Sequence, residues 1–255
     1  MSQYMIPLSF YLLCSTAIAQ QMPGADQYLA YESAMKDMQQ SAQTLQSMMS
    51  DKIVDKEKGR AAFSELSNNR DKVEQHLTDA IAEGNAAAIY MKARMVQIGA
   101  WSDSDKSKNR ETACGLYGEA AQKGLVAGAV AYVNCQKSFP PSPMLETSQT
   151  LLRKVLEGQD IYQEAYPLPV DHAFCFERRL EPIAPGEDPA EKLRQFGQPL
   201  MLTAEQYRAE GFYRLAAGSA TEKKGQTESD LHSAFQSGCQ TDGLRMRPAA
   251  MVNKG

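Results

Sequence analysis

The chain has 255 residues, of which 43% are hydrophobic and 23% are charged, and this composition excludes a disordered polymer and a collagen-like repeat. Its 27 Lys and Arg residues stand against 31 Asp and Glu residues, and the resulting net charge of −4 argues against a protein that binds nucleic acid. The length predicts one domain or two small ones.

The first nineteen residues have the pattern of a signal peptide. They carry no charge, contain an apolar stretch from Met5 to Leu13, and end in Ala17-Ile18-Ala19. Signal peptidase accepts only small side chains beside the bond that it cuts, so we predict cleavage after Ala19 and a mature chain that is periplasmic or secreted. A buried N-terminal helix is the alternative, because no Lys or Arg precedes the apolar stretch. No later stretch approaches the roughly 20 apolar residues of a membrane span.

Two long helices are predicted next. Apolar residues recur every three or four positions from Gln27 to Ser50, which is typical of a helix with one apolar face. A second segment with this spacing runs to Gly84, and the charged stretch from Asp51 to Gly59 connects the two as antiparallel helices. The predicted apolar faces consist of Tyr28, Tyr31, Met35, Met38, Ala42, Leu45 and Met49 in the first helix, and of Phe63, Leu66, Val73, Leu77 and Ile81 in the second.

The methionines of the first helix allow a second interpretation, because thioether sulfur binds copper(I). Methionine at helical spacing more often fills gaps in a core, and the three histidines of the chain lie far apart in the sequence. We therefore predict packing, and a Met-rich copper-handling protein is the alternative. The residues concerned are Met35, Met38, Met48 and Met49, and the histidines are His76, His172 and His232.

A pattern of small and apolar residues that ends in glycine recurs along the chain. One copy runs from Asn109 to Gly124, and another starts forty residues earlier at Asn69 and ends at Gly84. The matching residues are Ala113, Leu116, Tyr117, Ala120 and Ala121 in the first of these, Val73, Leu77 and Ala80 in the other, and Ala209, Phe212, Tyr213, Ala216 and Ala217 in a third copy. The pattern resembles the Sel1-like repeat, a relative of the tetratricopeptide repeat. It departs from that family where Lys92-Ala93 and Tyr132-Val133 replace the usual Leu-Gly.

The recurring pattern also has a physical interpretation. Asn69 and Asn109 can cap a helix by accepting a hydrogen bond from a free amide, while Gly84 and Gly124 can end it in the left-handed conformation. Alanines before each glycine let two helices approach closely, so each copy is a helical hairpin and successive hairpins stack. We therefore predict an all-α fold of stacked helical hairpins, with an irregular helical bundle as the alternative.

Four cysteines remain once Cys14 leaves with the signal peptide, and in an oxidising compartment they favour two disulfides. None belongs to a Cys-x-x-Cys pair, which argues against a zinc site or a redox-active dithiol. If residues 123–125 form the turn of a hairpin, antiparallel helices bring two of the cysteines level at its open end. The predicted bonds are Cys114–Cys135 and, by elimination, Cys175–Cys239.

Proline marks the middle of the chain. Most of the prolines lie between Phe139 and Pro189, interrupted by one helical stretch from Leu145 to Gly158, and regular stacking cannot persist through such a segment. The predicted organisation is a signal peptide at 1–19, a helical hairpin and Sel1-like repeats at 20–137, a Pro-rich insertion with one helix at 138–202, and a degenerate repeat with a C-terminal tail at 203–255.

The expected function comes from the resemblance, since the sequence contains no recognisable catalytic, cofactor or metal motif. Sel1-like and tetratricopeptide arrays bind peptides or proteins on a concave face, so the resemblance implies a non-enzymatic scaffold or adaptor in a bacterial cell envelope, of undetermined oligomeric state. The alternative is a periplasmic enzyme accessory or hydrolase that uses Asp171 and His172, with Glu177, as a base and its orienting acid. The candidate partner-binding residues are Tyr90, Arg94, Trp101 and Tyr132.

Overall fold

A computed structural model of the chain describes residues 22–50, 56–99, 106–137, 143–176, 182–218 and 224–240. The predicted signal peptide, Trp101, Glu177 and the C-terminal tail lie outside these ranges. Within them, the chain forms nine α-helices: α1 (Ala25–Ser50), α2 (Lys56–Ala82), α3 (Ala86–Gly99), α4 (Lys106–Gln122), α5 (Val126–Gln136), α6 (Leu145–Glu157), α7 (Pro189–Phe196), α8 (Ala204–Gly218) and α9 (Lys224–Gln236). A 3-10 turn (Gln163–Ala165) and two short strands, β1 (Leu168–Val170) and β2 (Leu200–Leu202), complete it. A membrane span needs a long uninterrupted apolar stretch, and no described helix contains one.

Helices dominate, as predicted, but the all-α prediction omits a small sheet. Strands β1 and β2 pair antiparallel, with Leu168 opposite Leu202 and Val170 opposite Leu200. Each strand has only three residues, too few for an alternating pattern to be seen in the sequence. Pro169 is tolerated in β1 because a two-stranded sheet consists of edge strands only.

The antiparallel pair α1–α2 forms as predicted, but its apolar faces are shorter than the sequence pattern. Tyr28 and Tyr31 of α1 and Val73 and Leu77 of α2 are buried in the core. At the far end of the pair, Met49 is 73% exposed and Phe63 is 64% exposed, so the helical spacing continues there without a core to bury it.

Asn69 and Asn109 do not cap helices, because both lie inside one, in α2 and α4 respectively. Asn69 is buried between α1 and α2, where its side-chain amide donates to the hydroxyl of Ser41 at 3.0 Å. The Ser41 hydroxyl in turn donates to Glu65 at 3.2 Å. Asn69 therefore joins the two helices where the sequence suggested a helix start.

Three helices end in the same glycine motif. Gly84, Gly124 and Gly238 have φ of 85°, 95° and 92°, a conformation that residues with a Cβ adopt rarely. At each position the glycine amide donates to the carbonyl three residues before it, and the next amide donates to the carbonyl five residues before its own position, as in a Schellman motif. The third motif thus ends α9, whereas the third set predicted from the sequence lies in α8.

The two predicted hairpins differ in how closely their helices pair. Helix α4 packs along α5 after the turn at Gly124. Helix α2 makes far fewer contacts with α3 across the turn at Gly84 than with α1, and α3 packs instead along α4. The hairpin at Gly124 is confirmed. At Gly84 the chain turns from α2 into α3, but α2 packs mainly against α1 and α3 mainly against α4.

The structure contains both predicted cysteine pairs at disulfide distance. The sulfurs of Cys114 and Cys135 are 1.99 Å apart at the open end of the α4–α5 hairpin. Those of Cys175 and Cys239 are 1.97 Å apart and join the loop after β1 to the end of α9.

The described part of the Pro-rich segment from α6 to β1 is part of the core, whereas residues 182–189 are exposed. Helix α6, predicted at 145–158 and found at Leu145–Glu157, packs against α5 and α8, and its Leu152 and Leu156 are fully buried. Strand β1 also contacts α5, and the aromatic side chain of Tyr162 is buried before it. The segment therefore continues the packed helical layer and brings the loop after β1 to the surface of α3, α4 and α5.

Candidate functional site

A cavity of about 460 Å³ lies where α3, α4, α5, β1 and α8 meet. Residues one and two helical turns apart line it, because positions separated by three, four or seven residues share one face of a helix. The lining residues are Tyr90 and Gln97 of α3, Arg110, Ala113 and Tyr117 of α4, Ala127, Val130, Ala131, Asn134 and Cys135 of α5, Val170 of β1, Asp171 and His172 after it, and Tyr207 of α8.

Three buried tyrosines form the aromatic part of this lining. The hydroxyls of Tyr90 and Tyr207 both donate to the carbonyl of Pro169, at 2.5 and 2.7 Å, and the ring centroids of Tyr90 and Tyr117 are 5.4 Å apart. Burial is the main cause that raises the pKa of all three phenols, so they stay neutral at physiological pH. With their hydroxyls engaged in the protein and at most 2% of each residue exposed, the tyrosines form a packed part of the cavity wall.

The negative charge of Asp171 is compensated by Arg94 of α3. Its carboxylate forms an ion pair with the guanidinium of Arg94 at 2.8 Å and accepts a hydrogen bond from the Gln97 amide at 3.0 Å. The hydroxyl of Tyr117 donates to Gln97 Oε1 at 2.8 Å, which fixes the orientation of that amide. Burial alone would lower the pKa of Arg94, but Tyr90 and Asp171 raise it on balance, so the guanidinium is charged. The end of β1 is therefore tied to α3 by a charge pair that leaves no net charge.

The loop after β1 is held from the other side by α8. The carboxylate of Glu210 accepts hydrogen bonds from the amides of Phe174 and Cys175, at 2.9 Å each. Arg214, one turn later, pairs with Glu210 at 2.8 Å and donates to the carbonyl of His172 at 2.6 Å. Both charged side chains are buried. Together with the Cys175–Cys239 pair, they set where the backbone of His172 meets the cavity.

Sequence reasoning missed Glu210 and Arg214. The one signal in the sequence is the spacing of opposite charges four residues apart, and it does not set them apart, because α8 also carries Glu205 and Arg208. An i,i+4 pair is usually a solvated surface feature, and only the loop packed on α8 makes this one buried.

Three polar side chains of the lining have no hydrogen-bond or ion-pair partner within the described part of the chain: Arg110, Asn134 and His172. Arg110 and His172 are exposed, and Asn134 is half-buried. All three can donate hydrogen bonds, and Arg110 carries a fixed positive charge. Asn134 and a neutral His172 can also accept hydrogen bonds, so Arg110 is the donor-only group among the three.

The structure separates the four predicted partner-binding residues. Tyr90 lines the cavity, whereas Arg94 lies behind the lining and acts through Asp171. The ring of Tyr132 covers Gly118, where an added Cβ would lie 3.2 Å from a ring carbon, so Tyr132 packs between α4 and α5 and is not among the lining residues. Trp101 lies outside the described residues.

The described residues assemble neither the hydrolase site proposed around Asp171 and His172 nor a copper site from the methionines of α1. No hydrogen bond or ion pair joins Asp171 to the ring of His172, because the Asp171 carboxylate faces Arg94 and Gln97. Among the lining residues that the structure describes there is no serine or threonine, and the one cysteine, Cys135, is paired. Met38 and Met48 are separated by about 15 Å along the axis of α1, so the four methionines cannot bind one ion together. No cluster of three His, Cys, Asp or Glu side chains is found among the residues searched.

Comparison with known proteins adds no relative from which to reason. No family model, no curated protein and no solved structure matches the chain. The likeness to Sel1-like repeats therefore stays a resemblance of sequence pattern, and any function must be argued from the cavity and its surroundings.

Proposed function

We propose that this chain is an exported, non-enzymatic interaction protein of a bacterial cell envelope, and that it holds a peptide segment of a protein partner in the cavity between α3, α4, α5, β1 and α8. The observation that carries the proposal is that the polar side chains of the lining fall into two groups. Its tyrosine hydroxyls and its acidic side chain are engaged inside the protein, while Arg110, Asn134 and His172 are left for a ligand. Such a site is suited to binding.

The size and composition of the cavity support a small segment of a partner. Ligand sites of roughly 300–1,000 Å³ combine apolar walls with a few polar groups that fix orientation. The lining here combines a buried apolar part, formed by Val130, Val170 and the tyrosines, with a more exposed part that includes Arg110, Ala131 and Asn134. A volume of about 460 Å³ accommodates one or two residues of a peptide chain.

The envelope location rests on the first nineteen residues and on the cysteines. An uncharged apolar segment that ends in Ala-x-Ala is typical of export, and four cysteines placed as two pairs are typical of an oxidising compartment. These features support a periplasmic or secreted adaptor.

A substitution that fills the cavity tests the proposal. Ala131 lines the cavity and is half-buried, so Ala131→Trp would occupy the space that a partner needs. The matched control is Gly115→Trp, because Gly115 lies on α4 with no atom within 4 Å of an added Cβ and is not part of the lining. Both variants add a Trp side chain, and circular dichroism would verify that both are folded.

The measurement is capture of a protein from an envelope extract by the immobilised mature chain. We expect a partner that is retained by the unmodified chain and by Gly115→Trp but not by Ala131→Trp. Retention of the same proteins by all three forms would show that the cavity is not the binding site. Reproducible capture of nothing by the unmodified chain would remove the adaptor function itself.

A further inference from the structure

We propose that two copies of this chain associate through the outer edge of β2, and that each copy adds its β2 to the other's sheet about a two-fold axis at Met201. No residue of β2 or α7 is among the described lining residues of the cavity. The association therefore goes beyond the proposed function and does not depend on it.

One edge of the β1–β2 sheet is covered by the protein. Pro169 lies opposite Met201, and because proline has no amide hydrogen to donate, the hydrogen-bonded pairs are the two on either side of this one. The carbonyl of Pro169 accordingly points away from β2, where it accepts hydrogen bonds from the hydroxyls of Tyr90 and Tyr207. The outer edge of β1 is thus occupied.

The other edge, that of β2, is open. Met201 belongs to the same pair as Pro169, so its amide and its carbonyl point away from β1. Neither group has a further hydrogen-bond partner within the described part of the chain, and Met201 is 45% exposed. Open strand edges of this kind pair with other extended strands. Met201 therefore offers one donor and one acceptor to a third strand.

The helix that leads into β2 has its apolar side exposed. Leu193 and Phe196 of α7 are 56% and 43% exposed, whereas Glu191 and Lys192 are half-buried. Lys192 is held on the inner side, since its ammonium donates to the carbonyl of Pro182 at 3.0 Å. Helix α7 also packs extensively against none of the other described helices and strands. Because a surface helix normally has the reverse arrangement, this side of α7 is suited to contact with another protein surface.

Proximity and charge favour a second copy of the chain as the occupant. Three residues join α7 to β2, so the Cα atoms of Phe196 and Leu200 lie within about 14 Å of each other. Residues 195–204 contain no Asp, Glu, Lys or Arg. Side chains close to a two-fold axis face their own copies, so a charged edge would repel itself. This edge lacks the charges that usually prevent such pairing.

Antiparallel pairing about Met201 is self-complementary. The amide of each Met201 donates to the carbonyl of the other, as in a hydrogen-bonded pair with Cα atoms about 5.5 Å apart. The ladder ends there, because the amide of Thr203 already donates to Gln206 and would face Pro199, which has no amide hydrogen. Two hydrogen bonds, with the apolar side of α7 beside them, predict a weak dimer.

The test is sedimentation equilibrium of the mature chain and of two Met→Lys variants. We expect a monomer–dimer equilibrium for the unmodified chain. Met201→Lys places two like charges against each other and should raise the dissociation constant about tenfold or more. The matched control is Met49→Lys, because Met49 is an exposed methionine at the far end of α1, and it should leave the constant unchanged. A chain that is monomeric up to millimolar concentration, or equal effects of the two variants, would overturn the inference.

Cysteine substitution tests the register of the pairing. In Met201→Cys the two thiols belong to residues with Cα atoms about 5.5 Å apart, which permits a disulfide, so oxidation by diamide should yield covalent dimers. Thr203 is exposed and directly follows β2, but its two copies would lie about 14 Å apart, so Thr203→Cys should stay uncrosslinked. Gel electrophoresis without reductant separates the products. Absence of crosslinking in Met201→Cys, or equal crosslinking of both variants, would refute the pairing of β2 with itself.

Discussion

The hairpin α4–α5 and the helix pair α8–α9 are held in place by different interactions. In α4–α5, small residues let the backbones meet: a Cβ added to Gly128 would lie 2.8 Å from the Cβ of Ala120. In α8–α9, charged side chains are buried: Glu210 pairs with Arg214 inside α8, and Asp230 of α9 forms a bidentate pair with Arg153 of α6. Close packing joins α4 to α5, whereas buried charge ties α8 to the loop after β1 and α9 to α6.

This difference matters for the cavity. The close-packed α4–α5 hairpin provides a wall with Arg110, Ala113, Val130 and Asn134 at fixed positions. The α8 charges reach across to the loop after β1 and set the position of His172. Adding volume to a close-packed contact forces the helices apart, whereas removing one partner of a buried ion pair leaves the other charge uncompensated. The two regions should therefore respond to different substitutions.

The largest expected effect comes from Glu210→Gln. Glu210 and Arg214 are 0% and 1% exposed, so removing the carboxylate leaves a buried guanidinium without its counter-charge. The loss of unfolding free energy should be about 3–5 kcal/mol, measured by urea denaturation. The control is Glu187→Gln, whose exposed pair with Lys192 should contribute little to stability because solvent screens it. A Glu210→Gln variant no less stable than the control would show that buried charge does not hold α8.

The second prediction compares the two disulfides. The Cys175–Cys239 bond closes a sequence separation of 64 residues, and Cys114–Cys135 closes one of 21. In the chain-entropy model, replacing the first pair with serines should cost about 4 kcal/mol and replacing the second about 3 kcal/mol. Urea denaturation of both double variants measures the difference. If the Cys114→Ser, Cys135→Ser chain is the less stable one, the hairpin depends on its bond more than loop length explains.

The two regions also differ in how far the sequence predicts them. The α4–α5 hairpin, its turn at Gly124 and its disulfide were all predicted, because the residues that form them lie within a few helical turns in the sequence. Of the cavity, Tyr90 was predicted as a binding residue, and Asp171 and His172 only as an alternative catalytic pair.

Less of the α8–α9 region was predicted from the sequence, because its contacts join residues that are far apart in the chain. Glu210 binds amides 35 and 36 residues away, and Arg153 lies 77 residues from Asp230. No local periodicity reports such contacts. The same reason hides the β1–β2 pairing.

The third prediction tests close packing with Gly128→Ala. The added methyl would lie 2.8 Å from Ala120 Cβ and 3.0 Å from the backbone nitrogen of Ala121, so α4 and α5 would have to move apart. We expect a loss of about 1–3 kcal/mol. The same substitution at Gly115, which has open space around it, should instead stabilise the protein by roughly 0.5–1 kcal/mol, since alanine favours a helix. Thermal unfolding of both variants gives the comparison, and equal shifts would mean that the hairpin tolerates separation.

The smallest effect concerns a tyrosine from each region, Tyr117 of α4 and Tyr207 of α8. Burial raises the pKa of both phenols, so the folded state keeps protons that the unfolded chain releases near pH ~10. Stability should therefore be independent of these groups below that pH and fall above it, by up to about 1.4 kcal/mol per pH unit for each tyrosine. Tyr117→Phe removes the hydrogen bond to Gln97 and should cost about 1 kcal/mol at neutral pH, yet its stability should fall less steeply in alkaline solution. Urea denaturation on both sides of pH ~10 measures both effects, and an unchanged alkaline slope would mean that Tyr117 ionises within the folded protein.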